Sequence, residues 1–275
     1  MSNGKKPPVI LISIGVKGGP GKSVTAIHFL TGYLGLKKED REYMILEFDA
    51  HNRTLDNFNS EISGKVVGKN DTEIRDNLSD IEFDADEKNI IIDVGGSENT
   101  ERFLEYIKSR KETFKNAIFI IPELNEPDHS ADKTVELIRG VLDNPKIIVA
   151  LNKYRGEKSK EEEFGFIYGM EQFDIPAKPF IKDKCISIVT IPECEVSLGL
   201  AKIKKQTLYG LSNIARMTAG FTTAQKKVLW SEDGETPCDK ETYRTESRSL
   251  DASIQALETL KKAEGLFKAI DGLRK

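Results

Sequence analysis

Residues Lys17-Gly18-Gly19-Pro20-Gly21-Lys22-Ser23 follow the apolar run Val9 to Val16 and precede a helical pattern that begins near Lys22. A buried-type strand, a glycine-rich turn, a Lys-Ser pair and a helix together make a phosphate-binding loop. Glycines allow backbone N–H groups to turn inward around phosphate oxygens, and the helix N-terminus adds partial positive charge. Pro20 suits a fixed turn, because its ring locks φ and it has no N–H to satisfy. On this reading Gly18, Gly19, Pro20, Gly21, Lys22, Ser23 and Val24 contact a nucleotide. Lys22 reaches the β- and γ-phosphates, and the Ser23 hydroxyl ligates Mg²⁺. The plainer alternative, a glycine-rich turn with a surface lysine, does not require the strand before it and the helix after it. Lys17 is the unusual residue, a second lysine that an ordinary loop of this kind does not ask for.

Phosphoryl transfer needs a metal, an oriented water and charge neutralisation as well as a cradle. Asp93 ends the strand-like run Ile90-Ile91-Ile92 and precedes Val94-Gly95-Gly96. A carboxylate at the tip of a buried strand can organise Mg²⁺, and the glycines after it allow close approach to a γ-phosphate. Its plainer role is to cap a turn. Asp49 ends the run Ile45-Leu46-Glu47-Phe48 and would share that sheet edge, where a carboxylate can orient the attacking water. A strand-end cap is the alternative for it. His51 has no metal-ligand companions and reads as a surface histidine. The run Ile147 to Leu151 ends in Asn152-Lys153-Tyr154; Arg155 stands where a guanine-reading aspartate would be, which favours ATP as the ligand.

Apolar runs at Val9–Val16, Tyr43–Phe48, Asn89–Asp93, Ala117–Ile121, Ile147–Leu151 and Ile186–Ile191 alternate with helical periodicity at Thr100–Arg110, Ser130–Leu142 and Lys158–Gln172. The spacing predicts an α/β fold, a doubly wound and mostly parallel sheet with helices on both faces and its ligand at the C-terminal strand edge. Val196 to Met217 reads as one further helix. Residues 57–86 are polar and read as an excursion carrying a short helix near Thr72 to Leu78. Three units follow: a nucleotide-binding domain over 1–222, an acidic linker over 223–246, and a C-terminal amphipathic helix over 247–275. In the last, Leu250, Ile254, Leu257, Leu260, Phe267 and Ile270 recur at steps of three, four and seven.

With 38% hydrophobic and 31% charged residues, the 275-residue chain suits a globular protein with a charged surface, and it contains no apolar run long enough to span a bilayer. The segment before the first strand has no room for a signal peptide, and Cys185, Cys194 and Cys238 form no C-x-x-C pair. The expectation is a cytoplasmic protein with reduced thiols. A net charge of −4 argues against a protein that coats nucleic acid generally, though not against a local basic face.

Residues 17–23 resemble the deviant Walker A motif, K-G-G-x-G-K-[ST], of the ParA/MinD family of ATPases, and Ile90 to Gly96 resembles its Walker B segment. The resemblance spans roughly residues 9–218. It implies a P-loop NTPase of the SIMIBI type, binding ATP and Mg²⁺, that forms a homodimer in the ATP state and hydrolyses slowly under stimulation by a partner protein. It also implies that Lys17 crosses the dimer interface to the phosphates bound by the partner subunit. Lys17, Lys22 and Asp49 then act in catalysis, Ser23 and Asp93 hold the metal, Asn152 contacts adenine, and Pro192 in Ile191-Pro192-Glu193 packs against the base. Glu47 stands where the family's first acid of an h-D-x-D segment would be. The residues after Asp49 resemble the TraL/StbB-like ATPases of conjugative plasmids, while Arg53-x-Leu55-Asp56 resembles MinD, so the subfamily stays open.

The family implies a switch that positions or segregates DNA or another cargo, with plasmid partition or conjugative transfer as the leading types. A MinD-like membrane-associated regulator and a non-hydrolysing ATP sensor are the alternatives. Lys202, Lys204, Lys205, Arg216, Lys226 and Lys227 could contact DNA non-specifically or form a solvated face. Residues 261–275, with Leu266, Phe267, Ile270 and Leu273 among cations, could lie in a membrane interface or pack on the domain.

Overall fold

Four apolar strands with strict two-residue alternation set the architecture. In β1 (Ile10–Ser13), β4 (Asn89–Val94), β5 (Ile118–Glu123) and β6 (Lys146–Tyr154), successive side chains point to opposite faces, and both faces are buried. Ile12, Ile92, Phe119 and Val149 enter one core, while Leu11, Ile91, Ile120 and Ile148 enter the other. With β2 (Tyr43–Phe48), β3 (Gly64–Val66) and β7 (Ile186–Pro192) they form a seven-stranded sheet in the order β3-β2-β4-β1-β5-β6-β7. Every pairing is parallel. The computed structural model describes residues 7–37, 42–49, 54, 55, 58, 64–66, 71–231 and 233–274. His51, Asn52, Arg53, Asp56 and most of 57–70 lie outside the described residues.

Strand β1 sits centrally, with β4 on one side and β5 on the other, so the chain order reverses around it. Such a switch point opens a crevice at the C-terminal ends of the strands. Helices Glu98–Lys108 and Ser130–Arg139 cover one face through Phe103, Leu104, Ile107, Val135 and Ile138. The other face is covered by a helix running from Lys22 to Leu36, whose middle, Thr25–Leu30, is π-helical. Long helix Lys240–Lys262 and helix Glu264–Leu273 pack beside it.

These last two helices correct the expected membrane contact through residues 261–275. Leu266 and Ile270 are fully buried and Phe267 is nearly so, in the same core as Leu11, Ile148 and Ile191. The apolar stripe is therefore already occupied by the sheet face. Asp271 fixes the end of the helix, accepting from the Tyr33 hydroxyl at 3.0 Å and from Lys37 at 2.5 Å. Among the described residues, no helix is long and apolar enough to cross a membrane.

Four other expectations are corrected. The 57–86 excursion supplies a strand, β3, and a longer helix, Asp71–Asp84; β3 pairs with β2 through its backbone and has no apolar run to announce it. The expected helix Val196–Met217 is three helices, Glu195–Lys204, Leu208–Leu211 and Asn213–Met217. Lys205 takes a left-handed conformation with φ 53° and ends the first, and the Thr207 side chain caps the second through Gly210 N. The expected helix Lys158–Gln172 breaks into short turns around Phe164 and Gly169, whose φ is 91°. Part of the acidic linker is also helical: Thr223–Leu229 closes a capping box, and Asp239 caps the long helix through Thr242 N.

Leu266→Ala and Ile270→Ala should each lower the unfolding free energy by about 2–5 kcal/mol, the cost of emptying a closed core site. Equilibrium denaturation in urea measures it; losses near zero would mean that the helix is not part of the core.

Candidate nucleotide-binding site

The glycine-rich loop leaves β1 at the switch point and turns into the helix at Lys22. Gly19 and Gly21 have φ of 87° and 101°, a region that side chains with a Cβ rarely occupy. At Gly21 a Cβ would also lie 2.2 Å from Asn152 Nδ2. Asn152, at the end of β6, donates through that nitrogen to the Pro20 carbonyl at 2.7 Å and accepts from Lys153 N at 2.9 Å. Its amide thus ties the end of β6 to the phosphate loop. Pro192 is buried at the end of β7, opposite Tyr154, on the same strand edge.

The loop is clamped from two further sides. Ser97 N donates to the Val16 carbonyl at 2.7 Å, and the buried Thr100 hydroxyl donates to Gly15 and Gly95 carbonyls at 3.1 and 2.9 Å. Val16 N donates to Thr134 Oγ1 at 3.2 Å. Gly96 passes so close that a Cβ there would sit 3.2 Å from Gly18 N. The segment after β4, helix Ser130–Arg139 and the end of β6 therefore hold the loop's entry and exit, while a Cβ at position 18 or 19 would meet nothing within 4 Å.

Lys22, Ser23, Asp49 and Asp93 converge beneath this loop. Lys22 is buried and donates to the Lys17 carbonyl at 2.5 Å. Burial pulls its pKa down, while the charges of Asp93 and Asp49 act to raise it. Asp93 is 2% exposed, and its Oδ1 has no hydrogen-bond partner. Burial pushes its pKa up to about 7, opposed by a hydrogen bond from Ser23 and by Lys22, and reinforced by Glu47 and Asp49. A buried carboxylate oxygen without a partner is costly unless something else neutralises it. A divalent cation suits that atom, with Ser23 and Asp93 as its holders on this chain. Asp49, next along the edge, accepts from Asn99 Nδ2 at 3.4 Å. Val24 is half-buried in the first helical turn and packs on the core beneath.

Glu47 is fully buried but faces the chain, accepting from Thr54 N at 2.8 Å and Leu55 N at 3.2 Å. Burial raises its pKa, and those two N–H groups oppose the rise. It organises the segment after β2.

Lys17 does not point at Lys22 or Asp93. It pairs with Glu126 and, at 2.5 Å, with Asp128, both on the loop after β5. That loop rests on a buried polar cluster. Glu123 is 3% exposed and accepts from Ser130 Oγ at 2.9 Å, while Lys178 donates to the Pro127 carbonyl at 3.1 Å and to that of Asp128. Sequence reasoning ended β5 at Ile121 and so missed this group, although Glu123-Leu124-Asn125-Glu126-Pro127-Asp128 follows the strand directly. Of the basic residues considered for DNA, Arg216 is stacked on Tyr209 at 3.8 Å and Lys227 lies over Tyr243, while Lys202, Lys204 and Lys205 are exposed.

No family model and no curated protein sequence matches the chain. Solved structures with a similar arrangement include the MinC:MinD cell division protein complex of Aquifex aeolicus, at 15% identity over 76% of this chain and 89% of that one, TM-score 0.43. The McdA–ATP complex of Cyanothece is 13% identical over 93% and 98%, TM-score 0.43. An AMPPNP-bound protein of Borrelia burgdorferi B31, described as a plasmid partition protein, is 14% identical over 91% and 99%, TM-score 0.42. At such scores the likeness carries no functional weight, and the roles of residues rest on the site's own chemistry.

Two measurements probe this geometry. Asn152→Ala removes the Pro20 contact and should weaken Mg²⁺–nucleotide binding about five-fold, the worth of one hydrogen bond near 1 kcal/mol; calorimetric titration reads it. Burial pushes the Glu123 pKa up to about 7, opposed by the Ser130 hydrogen bond. Between about pH 4.5 and 7 the native state therefore binds more protons than the unfolded chain, and stability falls as pH rises. Relative to Glu123→Gln, the wild type should lose about 3 kcal/mol across that window and show no further change with pH outside it. Urea melts from pH 4 to 8 measure the difference.

Proposed function

We propose that this chain is a ParA/MinD-type ATPase, a nucleotide-driven switch that dimerises with ATP and positions or segregates DNA or another macromolecular cargo. The observation that carries the reading is the Asp93 carboxylate, buried beside Lys22 and Ser23 under a glycine cradle, with one oxygen unpartnered. A site built to hold a phosphate alone has no use for a buried acid there; one that holds a metal–nucleotide does.

Each residue has a role that its position supports. Backbone N–H groups of residues 18–23 bind the phosphates, with the helix N-terminus behind them. Lys22, desolvated by its burial, places its charge on the β- and γ-phosphate oxygens once it leaves the Lys17 carbonyl. Ser23 and Asp93 hold Mg²⁺, which when bound neutralises phosphate charge and orients the chain of oxygens. Asp49 orients the attacking water from the neighbouring strand tip. Asn152 fixes the loop at Pro20 and lies with Pro192 where an adenine would rest. Lys17 serves a second copy of the chain, and the exposed Lys202, Lys204 and Lys205 offer contacts to DNA phosphates. A stimulating partner protein completes the cycle. The burial of Leu266, Phe267 and Ile270 favours DNA or protein cargo over a membrane surface.

Lys22→Ala should abolish nucleotide binding or cut turnover by about 100-fold or more. Lys17→Gln should leave ATP binding by the monomer within about two-fold while removing ATP-dependent dimerisation, as a residue reaching only a partner's phosphates would. Light scattering with MgATP, alongside phosphate release, tests both. Unchanged dimerisation and turnover in Lys17→Gln would overturn the dimer role; no turnover by the wild type with Mg²⁺ would leave an ATP sensor.

A further inference from the structure

We infer that Glu126 and Asp128 are a latch for Lys17 within its own chain, and that phosphate binding at Lys22 releases it. The inference rests on the nucleotide reading above and adds to it a gate on when Lys17 becomes available.

Two sets of contacts hold Lys17. Its ammonium lies between the carboxylates of Glu126 and Asp128, at side chains that are each roughly one-third exposed. Its carbonyl accepts from Lys22 Nζ at 2.5 Å. The same lysine that must meet the phosphates is thus engaged with the backbone of the residue that must leave. A phosphate oxygen competes for Lys22 with a full charge against a neutral carbonyl and wins that competition. The Lys17 carbonyl then loses its donor. Gly18 and Gly19 follow, where a Cβ would meet nothing within 4 Å and glycine's dihedral freedom lets the backbone turn, with Gly96 the close neighbour on the other side of Gly18.

The keeper side is more rigid. Asp128 Oδ1 accepts from Ser130 N at 3.2 Å, and the Pro127 and Asp128 carbonyls are tied to the buried Lys178. Glu123 lies directly beneath, anchored by Ser130. The Asp128 carboxylate is therefore held in place while the lysine moves. A lysine shared by two acids of its own chain is also withheld from a second copy, so the latched arrangement disfavours premature pairing. Partly exposed ion pairs have modest strength, which lets a bound nucleotide overcome this one.

The test uses the full chain with Glu126→Gln and Asp128→Asn combined. Asparagine at 128 keeps an oxygen for Ser130 N, and circular dichroism verifies the fold. In nucleotide-free protein, amine-reactive labelling of Lys17, read by peptide mass spectrometry against an exposed lysine such as Lys204, should rise about three- to five-fold in the double variant. ADP, which gives Lys22 a β-phosphate, should raise wild-type labelling comparably and add little in the double variant. Half-saturating ATP for dimerisation should fall by a similar factor, with monomer affinity for ADP within about two-fold. Equal Lys17 labelling in wild type and double variant overturns the latch, and this arm involves no nucleotide. Unchanged wild-type labelling at saturating ADP overturns the release by Lys22. A wild type that binds ADP but never dimerises would overturn the dimer reading while the labelling still decides the latch.

Discussion

The burial of one carboxylate organises this molecule. Asp93 can sit dry at the end of β4 only because Lys22 and Ser23 come to it from the neighbouring strand's loop. That meeting requires β1 and β4 to be adjacent and parallel, as their register from Ile10↔Ile90 to Ser13↔Asp93 makes them. It also requires the loop to double back over the strand tips. The Ser97–Val16, Thr100–Gly15 and Asn152–Pro20 hydrogen bonds hold it in that course from both sides. Even so, one oxygen of Asp93 is left without a partner and its pKa is pushed up to about 7. The fold thus carries an unfavourable local arrangement that a cation would relieve, the form in which functional sites commonly hold strain.

The strands were readable because a parallel sheet covered on both faces needs nearly continuous apolar runs, and Ile90-Ile91-Ile92 or Ile147 to Leu151 can hardly serve otherwise. The phosphate loop was readable because its spacing has a mechanical reason at each position. Strand β3 was not, since a three-residue strand that leans on β2 through its backbone leaves no apolar signature. Nor was the break at Lys205, where the chain adopts φ 53° without a glycine to announce it. For Asn152 and Lys17 the sequence placed the residues on the correct edge but could not say what they touch. Both side chains are engaged by groups far along the chain, Pro20 in one case and Glu126 and Asp128 in the other.

The C-terminal helices show a different limit of pattern reading. Of the expected stripe, Leu260, Phe267 and Ile270 are buried, but Leu250 and Leu257 are only half-buried and Ile254 is 40% exposed. Along the long helix, the face that meets the core is Ser253, Ala256 and Leu260, followed by Ala263, mostly small residues. Small residues allow the helix axis to come close. Leu260 shows how close, since a Cβ on Gly32 of the loop helix would lie 2.5 Å from Leu260 Cδ2. A hydrophobic periodicity weights big side chains, whereas close helix packing is governed by where the small ones fall.

That close packing bears on how the site can signal. The helix that begins at Lys22 carries the phosphate-binding residues at one end and, through Gly32, Tyr33 and the buried His28, touches the C-terminal helices and the start of Leu208–Leu211 along its length. His28 accepts from Leu208 N at 3.2 Å, and burial pulls its pKa down to about 4, so it stays neutral and keeps that bond across ordinary pH. The stretch between them is π-helical, Thr25–Leu30, and ends one residue before Thr31, whose hydroxyl bonds back to the Ile27 carbonyl at 2.5 Å. Wider turns of this kind sit at functional positions more often than elsewhere, because the backbone there has an alternative register. A change of position at Lys22 can therefore be taken up either at the loose glycines before it or in the π-turns after it. The π-turns are buried from Thr25 to Leu30, while a Cβ at Gly18 or Gly19 would meet nothing within 4 Å, so the turn before Lys22 is the less constrained of the two.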